Sequence, residues 1–555
     1  MTTGFSIPYR FGITVPIITS PRESHSMSDT QSSETTMPAG ALRLVFSGIL
    51  ICLFLSTLDQ TIVATGLYRI IGDIGQQSGG LGEASWIITA YLLASIASTP
   101  LYGKISDIYG RKPVYLFSIA VFTLGSVLCG FAQDLPQLIA LRALQGIGAG
   151  GLQSLAFVIV GDVVAPRERA RYQTLFFAVF TVGGIAGPLI GGAFVDAGTI
   201  LGAEGWRWIF FANIPFSAGA LALIGLFMRL PKPGVKHKID FVGAVLSVAG
   251  VVSLLLVTAW GGREYAWGSA TILGLASAGV VLLAVFVWWE RRTPEPILPP
   301  HLFRNSIFTV SSALALIMGV TSTGVLAFLA LYLEGARDTS PTAAGLGLLP
   351  LMLGLLFSSF FSARLIARTG RYRLYPIIGF AVSGIGMLLL SQLDENTSDV
   401  LRALYLAVVG VGMGFGVQVL TVAVQNSVER KDMGVATAAN PFFRAMGGSF
   451  GTALFGAILT STLISTLTDS LHGRPLPGGE PLSSIPSVTQ VHTWPTATQD
   501  AFKHALSEGW SQVCLVAAGF LAAGFILSFF LKEVELAGAP APKPQQQREN
   551  TAAEA

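Results

Sequence analysis

Long apolar stretches separated by short polar turns divide almost the whole chain. Twelve of them contain no Asp, Glu, Lys or Arg: 84–103, 113–133, 172–195, 208–228, 241–262, 265–289, 305–333, 339–363, 374–393, 403–428, 445–468 and 509–531. Two more carry one charge each, about 44–68 with Asp59 and about 135–161 with Arg142. A helix needs about 20 apolar residues to cross the hydrocarbon of a bilayer, so the pattern predicts fourteen spans. Their apolar character is continuous and lacks the period-two alternation of barrel strands. The expected class is therefore an all-α membrane protein.

The polar turns carry a sidedness. With the N-terminus cytoplasmic, nineteen Lys and Arg fall in cytoplasmic loops, among them Lys104, Arg111, Lys112, Arg167, Arg169, Arg171 and Arg368. Only seven fall on the other side: Arg69, Arg207, Arg263, Arg337, Arg402, Arg474 and Lys503. Positive charge accumulates on the cytoplasmic face, and one miscounted span would scramble the alternation. Both termini are expected in the cytoplasm, with the chain in the cell membrane.

Composition narrows the function classes. Only 12% of the 555 residues are charged, 52% are hydrophobic, and the mean hydropathy is +0.64. A soluble domain carries roughly 25% charge, so a soluble enzyme and a disordered scaffold are excluded. A net charge of +3 is too small to imply a nucleic-acid partner. Cys52, Cys129 and Cys514 all sit in predicted spans, which implies no disulfide framework. Residues 1–40 and 533–555 read as disordered cytoplasmic tails, with Met27 an alternative start. The 465–508 segment, rich in Pro, Ser and Thr, reads as a long extracytoplasmic loop.

An internal repeat suggests the layout. Gly146, Gly148 and Gly150 with Gln153 recur as Gly412, Gly414 and Gly416 with Gln418. Ala363–Arg373 looks like a worn copy of Gly103–Pro113. Two related halves of six spans are a signature of secondary transporters. The predicted domains are 41–229, a linker with two extra spans at 230–304, and 305–532. The competing explanation is that Gly-rich helices resemble one another by composition alone.

Few residues inside the spans can carry chemistry. Asp59 should face the bundle interior, because an ion facing lipid is costly. Burial disfavours the charged form of a carboxylate, so a carboxylate placed here suits loading and releasing a proton. Alternatively it is held permanently by Arg142, which stays charged and needs a carboxylate or carbonyl partner. Asp107, in the basic turn formed by Gly103, Asp107, Gly110, Arg111 and Lys112, could pair with basic residues or with a helix N-terminus of the other half. Such a pair would latch one of two conformations; the plainer reading is a topogenic loop. Gly183, Gly187, Pro188, Gly191 and Gly192 form a small-residue run in the fifth predicted span, suited to close helix packing and a bend. Gln60, Gln145, Gln153 and Gln418 are candidates for lining a substrate cavity. The six histidines all lie in tails or loops, and no metal-ligand cluster, nucleophile–base pair or phosphate-cradling loop occurs. No enzyme activity, ATP-driven pump, metal or cofactor is expected.

Taken in order, these motifs resemble the major facilitator superfamily, specifically its fourteen-span drug:proton antiporters. Asp59–Val63 resembles the first-span motif, and Gly103, Asp107, Gly110, Arg111 and Lys112 the loop signature. Arg142, Gln145, Gly146 and Gly148 resemble the fourth-span signature, which the family associates with proton transfer. The Gly183–Gly192 run resembles the antiporter motif, and Trp206–Phe210 with Asn213 and Pro215 the entry to the sixth span. Two departures stand out. Gly66-Leu67-Tyr68 replaces the usual Ala-Leu-Pro, and 339–363 lacks the carboxylate found in some exporters of multivalent cations, with Glu334 the nearest substitute.

The resemblance implies a major-facilitator fold, two six-helix halves plus two inserted spans. It implies a monomeric multidrug efflux antiporter, exporting hydrophobic drugs or toxic small molecules at the expense of the proton gradient, with Asp59 and Arg142 in coupling. Alternatives are an exporter of an endogenous lipid or metabolite and, from another class, a non-transporting receptor on the same scaffold.

Overall fold

The computed structural model describes residues 38–74, 81–230, 240–262, 264–339, 341–394, 397–470, 491, 493–534 and 536. The expected disordered tails fall almost wholly outside these residues. The first half of the chain supplies α1 (Ala39–Ile74), α2 (Leu81–Tyr109), α3 (Arg111–Gly130), α4 (Leu135–Val163), α5 (Pro166–Asp196), α6 (Gly205–Phe211) and α7 (Asn213–Phe227). Then come α8 (Phe241–Trp260) and α9 (Ala270–Glu290). The second half supplies α10 (Ser306–Arg337), α11 (Pro341–Gly347), α12 (Leu349–Thr369), α13 (Leu374–Leu390), α14 (Asp399–Ser427), α15 (Met433–Ser470) and α16 (Thr496–Ser528).

Among the described residues, thirteen spans are long and apolar enough to cross a membrane, and α13 is a further apolar helix where the remaining span was predicted. The chain is thus an all-α, multi-pass membrane protein. Every predicted span has a helical counterpart, but two are broken. The stretch 208–228 is α6 and α7, meeting at Ala212–Asn213, and 339–363 is α11 and α12, meeting at Leu348.

Two boundaries need correction. At the edges of the predicted 465–508 loop the chain is helical, with α15 continuing to Ser470 and α16 starting at Thr496, while residues 471–490 of that segment lie outside those described. Polar residues end the membrane-buried part of a helix without ending its hydrogen bonding, so both helices outrun their apolar segments. Likewise, the charge-free run 445–468 does not begin its helix. α15 is helical from Met433, which places Arg444 inside a membrane-crossing segment.

Within the first half, α1 packs on α5 and α7, and α4 on α2 and α3. The second half repeats the scheme, with α10 on α15 and α14 on α12 and α13. The glycine repeat explains the likeness. A Cβ on Gly146 would fall 2.3 Å from Tyr91 O, one on Gly148 2.4 Å from Phe122 N, and one on Gly150 2.4 Å from Ser95 O. On α14 the matching contacts belong to Gly410 (Leu351 O, 2.0 Å), Gly412 (Ser383 N, 2.3 Å) and Gly414 (Leu355 O, 2.3 Å). The structural repeat is therefore shifted by two residues from the alignment suggested by the Gly and Gln spacing. In this register Leu406 and Val409, both fully buried, stand where the first half has Arg142 and Gln145. The second half is apolar where the first is charged.

The inserted helices α8 and α9 pack closely on each other, and α8 also touches α2 and α15. Their far ends are clamped by acids. Asp240 accepts from Gly243 N (2.9 Å) and Trp289 Nε1 (2.9 Å), while Glu290 accepts from the N–H groups of Ile297 (3.2 Å) and Leu298 (3.1 Å).

Candidate functional site

Asp59 and Arg142 meet. Both side chains are completely buried, and Arg142 Nη1 donates to Asp59 Oδ2. Asp59 lies on α1 and Arg142 on α4, so the pair joins two helices of the same half. Burying an isolated ion in such a place is prohibitive, and the surroundings supply what is needed. Asp59 Oδ1 also accepts from Gln145 Nε2 (2.9 Å) and Asn213 Nδ2 (3.2 Å). Arg142 donates to Gln145 Oε1 (2.8 Å) and Ile87 O (3.2 Å), and its guanidinium sits 4.2 Å from the centre of the Tyr91 ring.

Polar contacts lead away from the pair in two directions. Asn213 donates to Ser126 Oγ (2.9 Å). On the other side the Tyr91 hydroxyl donates to Ser56 O (3.3 Å), and Ser56 Oγ accepts from Gln153 Nε2 (2.9 Å). Gln153 and Gln60 are partly exposed, whereas Gln145 is sealed within the charge cluster. Asn213 starts α7 at the break after Ala212, which is what lets its side chain turn inward. Tyr91, Ser126 and Ser56 were not legible as partners, since a single Tyr or Ser in an apolar span carries no pairing information.

Behind Asp59, α5 presses on α1. A Cβ on Gly187 would lie 1.9 Å from Thr61 Oγ1, and one on Gly191 2.2 Å from Thr65 Oγ1. A Cβ on Gly183 would lie less tightly, 3.1 Å from Thr57 Cβ, and the Gly183 carbonyl accepts from Thr61 Oγ1 (3.3 Å). Gly184 and Gly192 face open space. Pro188 lies inside α5 without ending it. The run therefore divides into a packing stripe at 183, 187 and 191 and residues facing elsewhere.

A second cluster lies where α2 turns into α3. Gly110, at the N-cap of α3, has φ +92°, a conformation only glycine adopts without strain. The tight turn brings Arg111 back between two acids, donating to Asp107 Oδ1 (2.6 Å) and Asp162 Oδ2 (2.6 Å). Lys112 donates to Gly225 O at the end of α7 (2.7 Å). Asp107 in turn accepts from the backbone N–H groups of Gly434 and Val435, both at 3.1 Å, in the first turn of α15. Both partners foreseen for Asp107, a basic residue and a helix N-terminus of the other half, are present together. Gly103 permits the approach, since a Cβ there would lie 2.8 Å from Gly434 O.

The same end of the bundle, here termed the basic end, holds a seam of hydrogen bonds between the halves. Gln425 Nε2 donates to Phe157 O (2.9 Å) and Gln425 Oε1 accepts from Gln173 Nε2 (3.2 Å). Gln418, fully buried, accepts from Thr174 Oγ1 (2.6 Å) and donates to Ser359 O (2.7 Å) and Ser362 Oγ (3.1 Å). Gln418 thus belongs to the seam in this conformation and does not line an open space. Gln173, Thr174 and Gln425 were missed because their role depends on a partner about 250 residues away. Among the described residues, no group of three His, Cys, Asp or Glu could hold a metal ion.

The Major Facilitator Superfamily model matches residues 49–452. An MFS-type transporter of Mycobacterium tuberculosis (strain H37Rv) is 38% identical over 497 residues, covering 89% of this chain and 70% of that protein. The multidrug transporter protein MdtP of Bacillus subtilis (strain 168) is 32% identical over 532 residues, covering 92% and 96%. Among solved structures, the proton:xylose symporter XylE superposes with a TM-score of 0.56 at 14% identity, covering 89% of this chain and 96% of that one. That last likeness concerns the fold.

Proposed function

This chain belongs to the major facilitator superfamily, and we propose that it is a proton-coupled efflux transporter exporting hydrophobic drugs or toxic small molecules. Its relatives are transporters rather than enzymes, and MdtP is a multidrug transporter. The observation that carries the coupling assignment is the sealed cluster around Asp59, in which Arg142, Gln145 and Asn213 all donate to one carboxylate.

In this reading Asp59 carries the proton. Protonation removes its charge and frees Arg142 to rely on Gln145 and the Ile87 carbonyl, which already accept from it. No cofactor takes part, and the proton gradient supplies the energy. The basic end is cytoplasmic, following the Lys and Arg bias, with both termini there and the chain monomeric in the cell membrane. The Asp107–α15 contact and the glutamine seam then hold the cytoplasmic side shut, and rocking the halves must break both.

Replacing Asp59 by Asn tests this. In proteoliposomes with an imposed pH gradient, D59N should insert normally yet abolish uphill export of a dye such as ethidium. Gradient-driven export at the wild-type rate by D59N would falsify the assignment.

A further inference from the structure

Arg444 is an intramembrane cation that the cluster above does not use. It lies on α15 about eleven residues from Met433, hence about 16 Å along the helix at 1.5 Å per residue. α15 is among the helices long and apolar enough to cross a membrane. A guanidinium stays charged there, and the three buried arginines show what such a charge requires. Arg142 has Asp59, Arg111 has Asp107 and Asp162, and Arg169 donates to the carbonyls of Val164, Gly161 and Gln425. Among the described residues, no carboxylate, carbonyl or side-chain oxygen meets Arg444. The Phe177 ring lies 5.8 Å from the guanidinium carbon, at the outer limit of a cation–π contact.

The direction in which Arg444 points is informative. Its neighbours Phe442, Ala445 and Met446 pack against Ile96, Val251 and Leu255 of α2 and α8. Behind it, the Arg444 backbone carbonyl abuts α10, 1.9 Å from where a Cβ on Gly319 would stand, which fixes the helix in place. Phe177 belongs to α5 of the opposite half, so the guanidinium reaches across between the halves. Its side chain is only partly exposed, yet none of its nitrogens is among the sealed, unpartnered polar atoms. Thr174, one turn earlier on α5 than Phe177, is part of the seam through Gln418. Phe177 also packs edge-on against Phe180 at 5.9 Å. The arrangement is therefore a fixed, accessible, uncompensated cation beside an aromatic pair, next to the inter-half seam.

We propose that Arg444 is an anion-recognition residue and that the cargo class includes amphipathic organic anions, carboxylates or phenolates on a flat apolar body. The fork of N–H donors matches a carboxylate in two parallel hydrogen bonds, and Phe177 and Phe180 offer apolar surface to an adjoining ring. The bound anion supplies the countercharge that the protein omits. This inference rests on the transport reading, whose substrate class it names.

Equilibrium binding to the purified full chain, without any gradient, separates the two. The probes are pyrenebutyrate, the neutral pyrenebutanol and the cation ethidium, read by quenching of tryptophan fluorescence. The wild type should bind pyrenebutyrate more tightly than pyrenebutanol, and benzoate should compete with the former alone. R444Q should weaken pyrenebutyrate by about tenfold, the loss of roughly one charged hydrogen-bonding partner, and leave pyrenebutanol unchanged. R444K, which keeps the charge and guards against a folding defect, should retain an intermediate affinity. Equal wild-type affinity for the anion and the alcohol, unchanged anion binding by R444Q, or equal loss of all three probes would each overturn the proposal. Absence of gradient-driven export of all three probes by the wild type would instead remove the transport reading while leaving the binding comparison intact.

Discussion

Asp107 accepts hydrogen bonds from the backbone N–H groups of Gly434 and Val435, some 327 positions further along the chain, while Arg111 holds the same carboxylate from its own half. An acid at a helix N-terminus is favoured by the unpaired N–H groups and by the helix dipole. Here the helix and the acid belong to different halves, so the interaction exists only while the basic end is closed.

Replacing Asp107 by Ala removes two hydrogen bonds to a charged acceptor, each worth about 1.5–3 kcal/mol. The open form of the basic end should gain population by at least about tenfold. Spin labels at Arg171 and Arg364, both exposed, should then show a longer-distance population that is minor in the wild type. An unchanged distance distribution would remove Asp107 from the latch.

The α1–α5 contact behind Asp59 should be intolerant of side chains on one face only. Gly187→Leu must displace Thr61, and overpacking of this kind costs about 1–3 kcal/mol or more. Its melting temperature in detergent should fall clearly below that of the wild type. Gly192→Leu, at a position with nothing within 4 Å, should melt close to the wild type.

Asn213 bridges Asp59 and Ser126. Asn213→Leu leaves an acceptor on the carboxylate unfilled, a loss of about 1–3 kcal/mol. Gradient-driven export should fall by about tenfold, and Ser126→Ala should show a smaller loss. Export at the wild-type rate in both variants would place Asn213 outside the coupling network.

Glu290 anchors the segment leading from the inserted pair to α10 through two backbone N–H groups. Glu290→Ala leaves both donors unpaired and should lower thermal stability by about 1–3 kcal/mol. Glu290→Gln, which keeps one acceptor oxygen, should recover part of the loss. Equal melting of all three proteins would show that water replaces the carboxylate at no cost.

Much of the architecture was legible because the bilayer imposes a one-dimensional rule. Each span must be apolar for about 20 residues and must satisfy its own backbone, so spans can be counted without any partner. The same rule singled out Asp59 and Arg142, because a lone charge inside such a stretch is conspicuous. Arg444 escaped for the opposite reason. It borders a charge-free run, where a charge reads as a loop residue until the helix is seen to continue through it. The glycine repeat was visible, but its register was not. Which glycine touches Tyr91 O or Leu351 O depends on the rotation of packed helices, and composition leaves that rotation open by two residues.

Sequence by itself determined the membrane class, the positions of the spans, the existence of a related pair of halves and the scarcity of intramembrane charge. Each of these follows from transferring one segment at a time from water to hydrocarbon. Tertiary structure alone decided that Asp59 and Arg142 form one site, that Asp107 caps α15 of the other half, that Gln418 lies in the seam, and that Arg444 meets no acid among the described residues. Those outcomes depend on distances of a few ångströms between residues tens to hundreds of positions apart, and such distances are set only when the helices pack.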